Sequence, residues 1–249
     1  MLKSGNTILI TGGNAGIGQK LAEEFHRRGN NVIITGRRED ALKAVADANP
    51  GMEWAQLDMQ DAAAIEETAK RLTRDYPDLN AVIHNAGIMK AEDMKAAPQS
   101  LADAEATVTT NLLGPIRLTQ HLLPHLLSRP GAYIVTVSSG LAFVPLSATP
   151  TYDATKAAIH NYSVALREQL RGTSIAVHEI VPPAVQTDLM PGHAENPNAM
   201  PLDDFIAETM GIIDGDAVPD EICTERVGFL RNAEREGRFA KTLAALNGG

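Results

Sequence analysis

Apolar residues along this chain follow two alternating rhythms. Short runs rich in β-branched and aliphatic residues read as strands near Thr7–Thr11, Asn31–Thr35, Glu53–Leu57, Asn80–His84, Ala132–Ser138 and Ser174–Ile180. Between them apolar positions recur at helical spacing, as Leu21, Ala22 and Phe25 do. These helices are expected near Ala15–Arg28, Glu39–Ala48, Ala62–Arg74, Leu101–Leu127 and Tyr152–Leu170. Strand–helix alternation predicts an α/β protein of three layers, with a doubly wound parallel sheet covered by helices on both faces. Right-handed crossovers favour the strand order 3-2-1-4-5-6, with ligands at the carboxyl ends of the strands. Pro182-Pro183 closes the sixth strand, because proline cannot continue a ladder. The stretch from Thr187 to Leu202 carries Pro191, Gly192, Pro197 and Pro201, and reads as a long irregular loop of the kind that often serves as a lid. Beyond it the pattern is helical, at Leu202–Ile213, Pro219–Glu234 and Phe239–Leu246, with no β-rich run before Gly248-Gly249. The chain is therefore read as one domain, 1–249, in which 187–249 covers the substrate side.

The first strand runs into Gly12-Gly13-Asn14-Ala15-Gly16-Ile17-Gly18 and then into a helix. Glycines in such a turn let backbone approach a pyrophosphate, and the helix N-terminus presents free N–H groups and the positive end of its dipole. Glycines also serve ordinary tight turns. Their placement between an apolar strand and an amphipathic helix is what favours a nucleotide. The end of the second strand bears on which nucleotide. An acid there would bond the ribose hydroxyls of NAD and repel a 2′-phosphate; here Gly36 is followed by Arg37 and Arg38. Arginine binds phosphate through a fork of N–H donors, so NADP is expected over NAD, with Arg37 the main discriminator. Against this, both arginines can be a solvated surface pair, and Ala15 offers no second basic contact.

Tyr152 and Lys156 stand four apart, on one face of a predicted helix, thirteen residues after Ser139. A phenol is a poor base at neutral pH, and a nearby cation favours its ionised form. A tyrosine beside a lysine, with a hydroxyl to hold a carbonyl oxygen, is an acid/base device suited to alcohol and ketone chemistry. Ser138 is the rival to Ser139, but strand alternation and the thirteen-residue spacing favour Ser139.

With these motifs in order, the chain resembles the short-chain dehydrogenase/reductase family, which has a Rossmann fold. The resemblance runs from Thr11–Gly18 through Asn85-Ala86-Gly87 and Asn111 to Ser139, Tyr152 and Lys156. The Gly5–Ile10 start and the segment from Phe229 to Glu234 resemble its DltE-like branch. The resemblance implies catalytic roles for Asn111, Ser139, Tyr152 and Lys156, with Asn111 holding a water that links the lysine to solvent. It implies cofactor contacts from Gly12, Asn14, Gly16, Ile17, Gly18, Arg37, Arg38, Asp58, Met59, Asn85, Ala86, Gly87, Tyr152, Lys156, Pro182, Val185 and Thr187. Asp58 would meet the adenine, or else cap the helix that starts near Asp61. Many relatives carry a seventh strand at an interface, and here a helical C-terminal region is expected to replace it. A homodimer through the helices Leu101–Leu127 and Tyr152–Leu170 is the assembly expected; helices apolar only on their core faces would leave a monomer.

Composition narrows the classes. The net charge of −9 argues against a nucleic-acid partner, and the lone Cys223 cannot form an internal disulfide. No apolar stretch is long enough to span a bilayer and no secretory segment stands out, so a cytoplasmic location is expected. His121 and His125 are four apart but sit among leucines with no third ligand, so no metal is expected. Leu118, Leu122 and Leu126 form a stripe that suits core or interface. Leu141, Ala142, Phe143, Val144, Val185, Leu189 and Met190 suit either an apolar substrate pocket or loop anchors. The expected function is NADP(H)-dependent hydride transfer between the nicotinamide and a carbonyl or secondary alcohol of a small to medium, mostly apolar substrate. The alternative is a non-catalytic NAD(P) sensor or scaffold on the same fold.

Overall fold

A computed structural model describes residues 3–96 and 101–248. At its centre is a parallel sheet of seven strands in the order β3-β2-β1-β4-β5-β6-β7. The strands are β1 Thr7–Thr11, β2 Asn31–Gly36, β3 Glu53–Gln56, β4 Leu79–His84, β5 Ala132–Val137, β6 Ile175–Val181 and β7 Glu221–Cys223. The principal helices are α1 Gly16–Arg27, α2 Glu39–Ala48, α3 Ala62–Asp75, α4 Ala102–Val108, α5 Gly114–Leu127, α6 Pro150–Gln169 and α7 Leu202–Asp214. A single turn α8, Gly228–Arg231, and α9, Phe239–Leu246, follow.

The strands β1, β2 and β4 at the centre of the sheet are largely apolar on both faces because both faces are covered. Alternation along β1 sends Ile8 and Ile10 into one core with Leu21 and Phe25 of α1, Leu42 of α2 and Phe205 of α7. Leu9 points the other way, into a core with Ile65 and Leu72 of α3, Leu118, Leu122 and Leu126 of α5, and Leu166 of α6. The leucine stripe of α5 is thus core. Each such side chain stabilises the fold by about 1.5–3 kcal/mol relative to exposure. Among the described residues no helix is long and apolar enough to cross a membrane.

The first six strands stand in the expected order. The seventh is a correction. Glu221–Cys223 pairs in parallel with β6, Ile180 opposite Ile222, so the helical C-terminal region does not replace a seventh strand. The helix expected over Pro219–Glu234 shrinks to a 3-10 turn at Glu225–Val227 and the single turn α8. Three residues are too few to display a period, and only Ile222 of the three is fully buried. The open edge of β6 supplies the partner that makes them a strand.

The helix expected over Leu101–Leu127 is a composite. Between α4 and α5 lies one π-helical segment, Thr109–Leu113, with Asn111 at its middle. Such bulges mark places where a helix is distorted for a purpose. After β6 the long loop is pinned at its base: Val185 and Met200 form an isolated bridge, and Met200 N–H donates to Ala184 O over 2.8 Å.

Candidate active site

The sequence-predicted residues converge on the carboxyl edge of the sheet. β1 ends at Thr11 and is followed by Gly12, whose φ is +67°. A Cβ there would lie 2.9 Å from Ala86 Cα, so two backbone turns meet where no side chain fits. Thr11 Oγ1 accepts from the N–H groups of both Asn85 and Ala86, each at 3.1 Å. Asn85 Nδ2 donates back to Thr11 O and Gly12 O at 3.1 and 3.2 Å. The Asn85-Ala86-Gly87 turn is thereby fastened to the glycine loop. Gly16, Ile17 and Gly18 open α1. The residue before it, Ala15, has no side-chain cap to offer, and no acid stands in the first turn. Its unpaired N–H groups and positive dipole end suit an anion such as a pyrophosphate. Thr187, beyond β6, lies against Gly16, with its methyl 3.3 Å from where a Cβ would stand.

At the end of β2, Asn14 leans over Gly36, and a Cβ at Gly36 would collide with Asn14 Oδ1. Arg37 and Arg38 follow, both exposed. Among the described residues neither guanidinium is paired with a carboxylate. The groups that would meet a phosphate are therefore uncommitted, and the site fits a phosphorylated dinucleotide. Asp58 Oδ1 accepts from Gln60 N–H at 2.9 Å. The helix cap is Asp61, whose carboxylate accepts from the N–H groups of Ala63 and Ala64 at 2.9 and 3.0 Å. The reading of Asp58 as cap of α3 is thereby corrected. Met59 is buried against the start of α5 at Gly114. Pro182 O receives Gly140 N–H at 2.8 Å, tying the end of β6 to the turn after Ser139.

Tyr152 and Lys156 lie one turn apart on α6, 6% and 5% exposed, at the mouth of β5. Ser139 caps the turn Gly140–Ala142 by accepting from Leu141 N–H at 3.1 Å. Its hydroxyl also acts on the tyrosine, favouring the phenolate. Burial pushes the phenol well above its ordinary value of 10.0; Ser139 opposes this, and the charge on Asp153 adds to it. Lys156 Nζ donates to Val137 O at 2.8 Å and stands 5.5 Å from the centre of the tyrosine ring. Burial lowers the ammonium to about 8, against a smaller upward pull from Glu179. The net shift of the phenol is thus upward, against the lowering expected from the lysine. Desolvation of the phenol outweighs the cation, which is turned toward a backbone carbonyl. The phenol is held protonated. Asn111 does not reach into this space with a free group. Its Oδ1 accepts from Ile88 N–H and its Nδ2 donates to Ile88 O, both at 2.9 Å, and to Thr155 Oγ1 at 3.2 Å. The asparagine clamps the β4 loop to α6.

Among the expected apolar residues, Val144 and Val185 are buried in the protein interior. Phe143 is an anchor: its ring meets His160 edge-on at 4.7 Å and carries the Arg231 guanidinium 4.2 Å from its centre. Leu141, Ala142, Leu189 and Met190 remain partly open. α8 packs over the same turn, with Leu230 and Val227 against Gly140. Asn247, after α9, accepts from Ser147 N–H at 2.6 Å and donates to Pro145 O at 3.1 Å.

Sequence reasoning missed one cluster. Ser138 donates to Glu179, a fully buried residue of β6, whose other oxygen meets His160 Nδ1 at 2.9 Å. The available signals were a glutamate inside the apolar run of β6 and a histidine four residues after Lys156. Ser138 is committed to this cluster, which leaves Ser139 as the hydroxyl at the tyrosine.

A parallel sheet wound in this order, with a glycine turn at its first crossover and a buried Tyr-Lys pair above its fifth strand, defines a Rossmann-type oxidoreductase. The chain belongs to the short-chain dehydrogenase family, whose model matches residues 6–198. It is 38% identical over 240 residues to the uncharacterized oxidoreductase DltE of Bacillus subtilis, covering 94% of each chain. It is 35% identical over 176 residues to the NADP-dependent 3-hydroxy acid dehydrogenase YdfG of Salmonella typhi, covering 70% of this chain and 71% of that one. Its structure resembles the closed form of serine dehydrogenase complexed with NADP+, with a TM-score of 0.77 and 28% identity over 86% of this chain and 92% of that one.

Proposed function

We propose that this chain is an NADP(H)-dependent oxidoreductase that interconverts a carbonyl and a secondary alcohol on a small to medium, mostly apolar substrate. The observation that carries the proposal is the buried set Ser139, Tyr152 and Lys156 beside the glycine loop. The NADP-dependent relative, the NADP+-complexed neighbour and the two arginines after β2, without a carboxylate partner among the described residues, support the choice of cofactor.

Gly12, Gly16, Ile17 and Gly18 would seat the pyrophosphate, and Arg37 with Arg38 the 2′-phosphate. Asp58 and Met59 would border the adenine, with Asn85, Ala86 and Gly87 lining the centre and Pro182, Val185 and Thr187 the nicotinamide side. NADPH, when bound, would supply a hydride for the carbonyl carbon. Ser139 donates a hydrogen bond to the substrate oxygen as its negative charge grows. Tyr152 transfers its phenolic proton to that oxygen, completing the alcohol and leaving a phenolate. Lys156, one turn away, stabilises the phenolate and holds the nicotinamide ribose. Alcohol oxidation is the same path reversed. The C-terminal helices and the loop from Thr187 cover the substrate side. A cytoplasmic homodimer is the assembly that accompanies this reading.

Tyr152→Phe tests it. The variant keeps NADPH affinity near wild type, measured by cofactor fluorescence, and loses turnover of a carbonyl panel by about 10²–10⁴-fold. Near-normal turnover would sink the assignment. Binding without turnover by the unmodified protein across the panel would instead favour a sensor.

A further inference from the structure

The cluster beneath the catalytic residues has no part in the steps above, yet its geometry ties it to them. Glu179 is a carboxylate with no exposed surface, in the middle of β6. One oxygen accepts from Ser138 Oγ, and the other lies 2.9 Å from His160 Nδ1. Ser138 is the neighbour of Ser139. His160 lies one turn beyond Lys156, on the same face of α6. Lys156 in turn donates to Val137 O, the residue before Ser138. One carboxylate therefore links the end of β5, which carries the catalytic serine, to the helix that carries the tyrosine and lysine.

A buried carboxylate needs compensating charge. The groups facing Glu179 come from three elements. Lys156 and His160 face it from α6, Cys223 and the register-paired Glu221 from β7, and Arg231 from α8. Arg231 is engaged by Glu221 in a two-toothed ion pair and stacked on Phe143. Among these groups the nearby cation without a carboxylate partner is Lys156.

We propose that Glu179 is a positioning residue of this active site: its buried carboxylate, bonded to Ser138 beside Ser139 and to His160 one turn from Lys156, holds β5 and α6 in register and sets the charge around Lys156. The proposal rests on the catalytic reading above, and its test is chosen to be independent of turnover.

The test follows the titration of Lys156 in the full-length protein carrying lysine labelled with ¹³C at Cε, without substrate or cofactor. The resonance is assigned by its loss in Lys156→Met. Glu179→Gln preserves size and hydrogen bonding but removes the charge. It should lower the Lys156 midpoint by about one pH unit, the low end of the effect of a nearby opposite charge. Ser138→Ala and Glu179→Asp, which keep the charge, should leave the midpoint near wild type. Where a carbonyl substrate is turned over, the alkaline limb of kcat should move the same way in Glu179→Gln while KM stays close to wild type. Should Glu179→Gln fail to fold, the pair Glu179→Met with Ser138→Ala removes the carboxylate and its buried donor together and carries the same expectation. An unchanged Lys156 midpoint in either folded variant overturns the proposal. Absence of turnover in the unmodified protein would count against the catalytic reading, while the lysine titration still decides this one.

Discussion

Arg37→Ala should weaken NADPH binding far more than NADH binding. Arg37 is exposed at the end of β2, uncommitted to any carboxylate among the described residues, and beside Arg38. Its contribution can be bounded. Two unit charges 4 Å apart attract by about 1 kcal/mol in bulk water and about 4 kcal/mol at the effective dielectric near a protein surface. A 2′-phosphate carries more than one charge, but an exposed arginine loses side-chain freedom on binding it. A charge-assisted hydrogen bond nets about 1.5–3 kcal/mol, or roughly 10- to 150-fold in affinity. NADH has only a hydroxyl at that position and should lose little. Gly36→Asp should act in the same direction by another route. Its side chain collides with Asn14 and places a carboxylate where the phosphate would sit, so discrimination should fall or invert. Fluorescence titration of both cofactors at about 0.1 M salt, where the screening length is about 10 Å, gives the two dissociation constants. Equal affinities in the unmodified protein, or equal losses for NADPH and NADH on Arg37→Ala, would refute the reasoning.

Two further outcomes are expected. His84 is wholly buried, with Nε2 bonded to Thr119 Oγ1 at 2.8 Å, and burial lowers its pKa from 6.5 to about 4. The unfolded chain therefore takes up this proton first. The stability it contributes is complete above pH 6.5 and is lost as pH falls through the window down to about 4, by a few kcal/mol. Urea unfolding of wild type and His84→Asn across that window should show a flatter acid limb in the variant; parallel curves would exclude the histidine as cause. For assembly, Leu118, Leu122 and Leu126 are spent on the core, but Leu101, Leu113, Leu127 and Val164 remain exposed around α4, α5 and α6. Light scattering at micromolar concentration should give twice the mass of the chain, and a clean monomer or tetramer would exclude the dimer.

Much of this protein is legible along the chain. Most of the six main strands show apolar runs and the helices are long enough to show their period, so the layers were legible, and right-handed crossovers favoured the strand order. The glycine loop, Arg37 with Arg38, and the Ser139, Tyr152, Lys156 set were visible because each is local or has a fixed spacing. β7 was not: three residues carry no period, and they are a strand only because β6 offers an open edge. The role of Asp61 over Asp58 as cap turned on which carboxylate reached the first N–H groups of α3. The protonated state of Tyr152 depends on how deeply α6 buries it, a property of packing and not of the lysine four residues on. Glu179 shows the divide most clearly. In the sequence it is one acid in an apolar strand, forty-one residues from Ser138 and nineteen from His160. Folding brings β5, β6 and α6 together and removes water, and only then does its charge act on its neighbours, because electrostatic interactions strengthen where solvent no longer screens them.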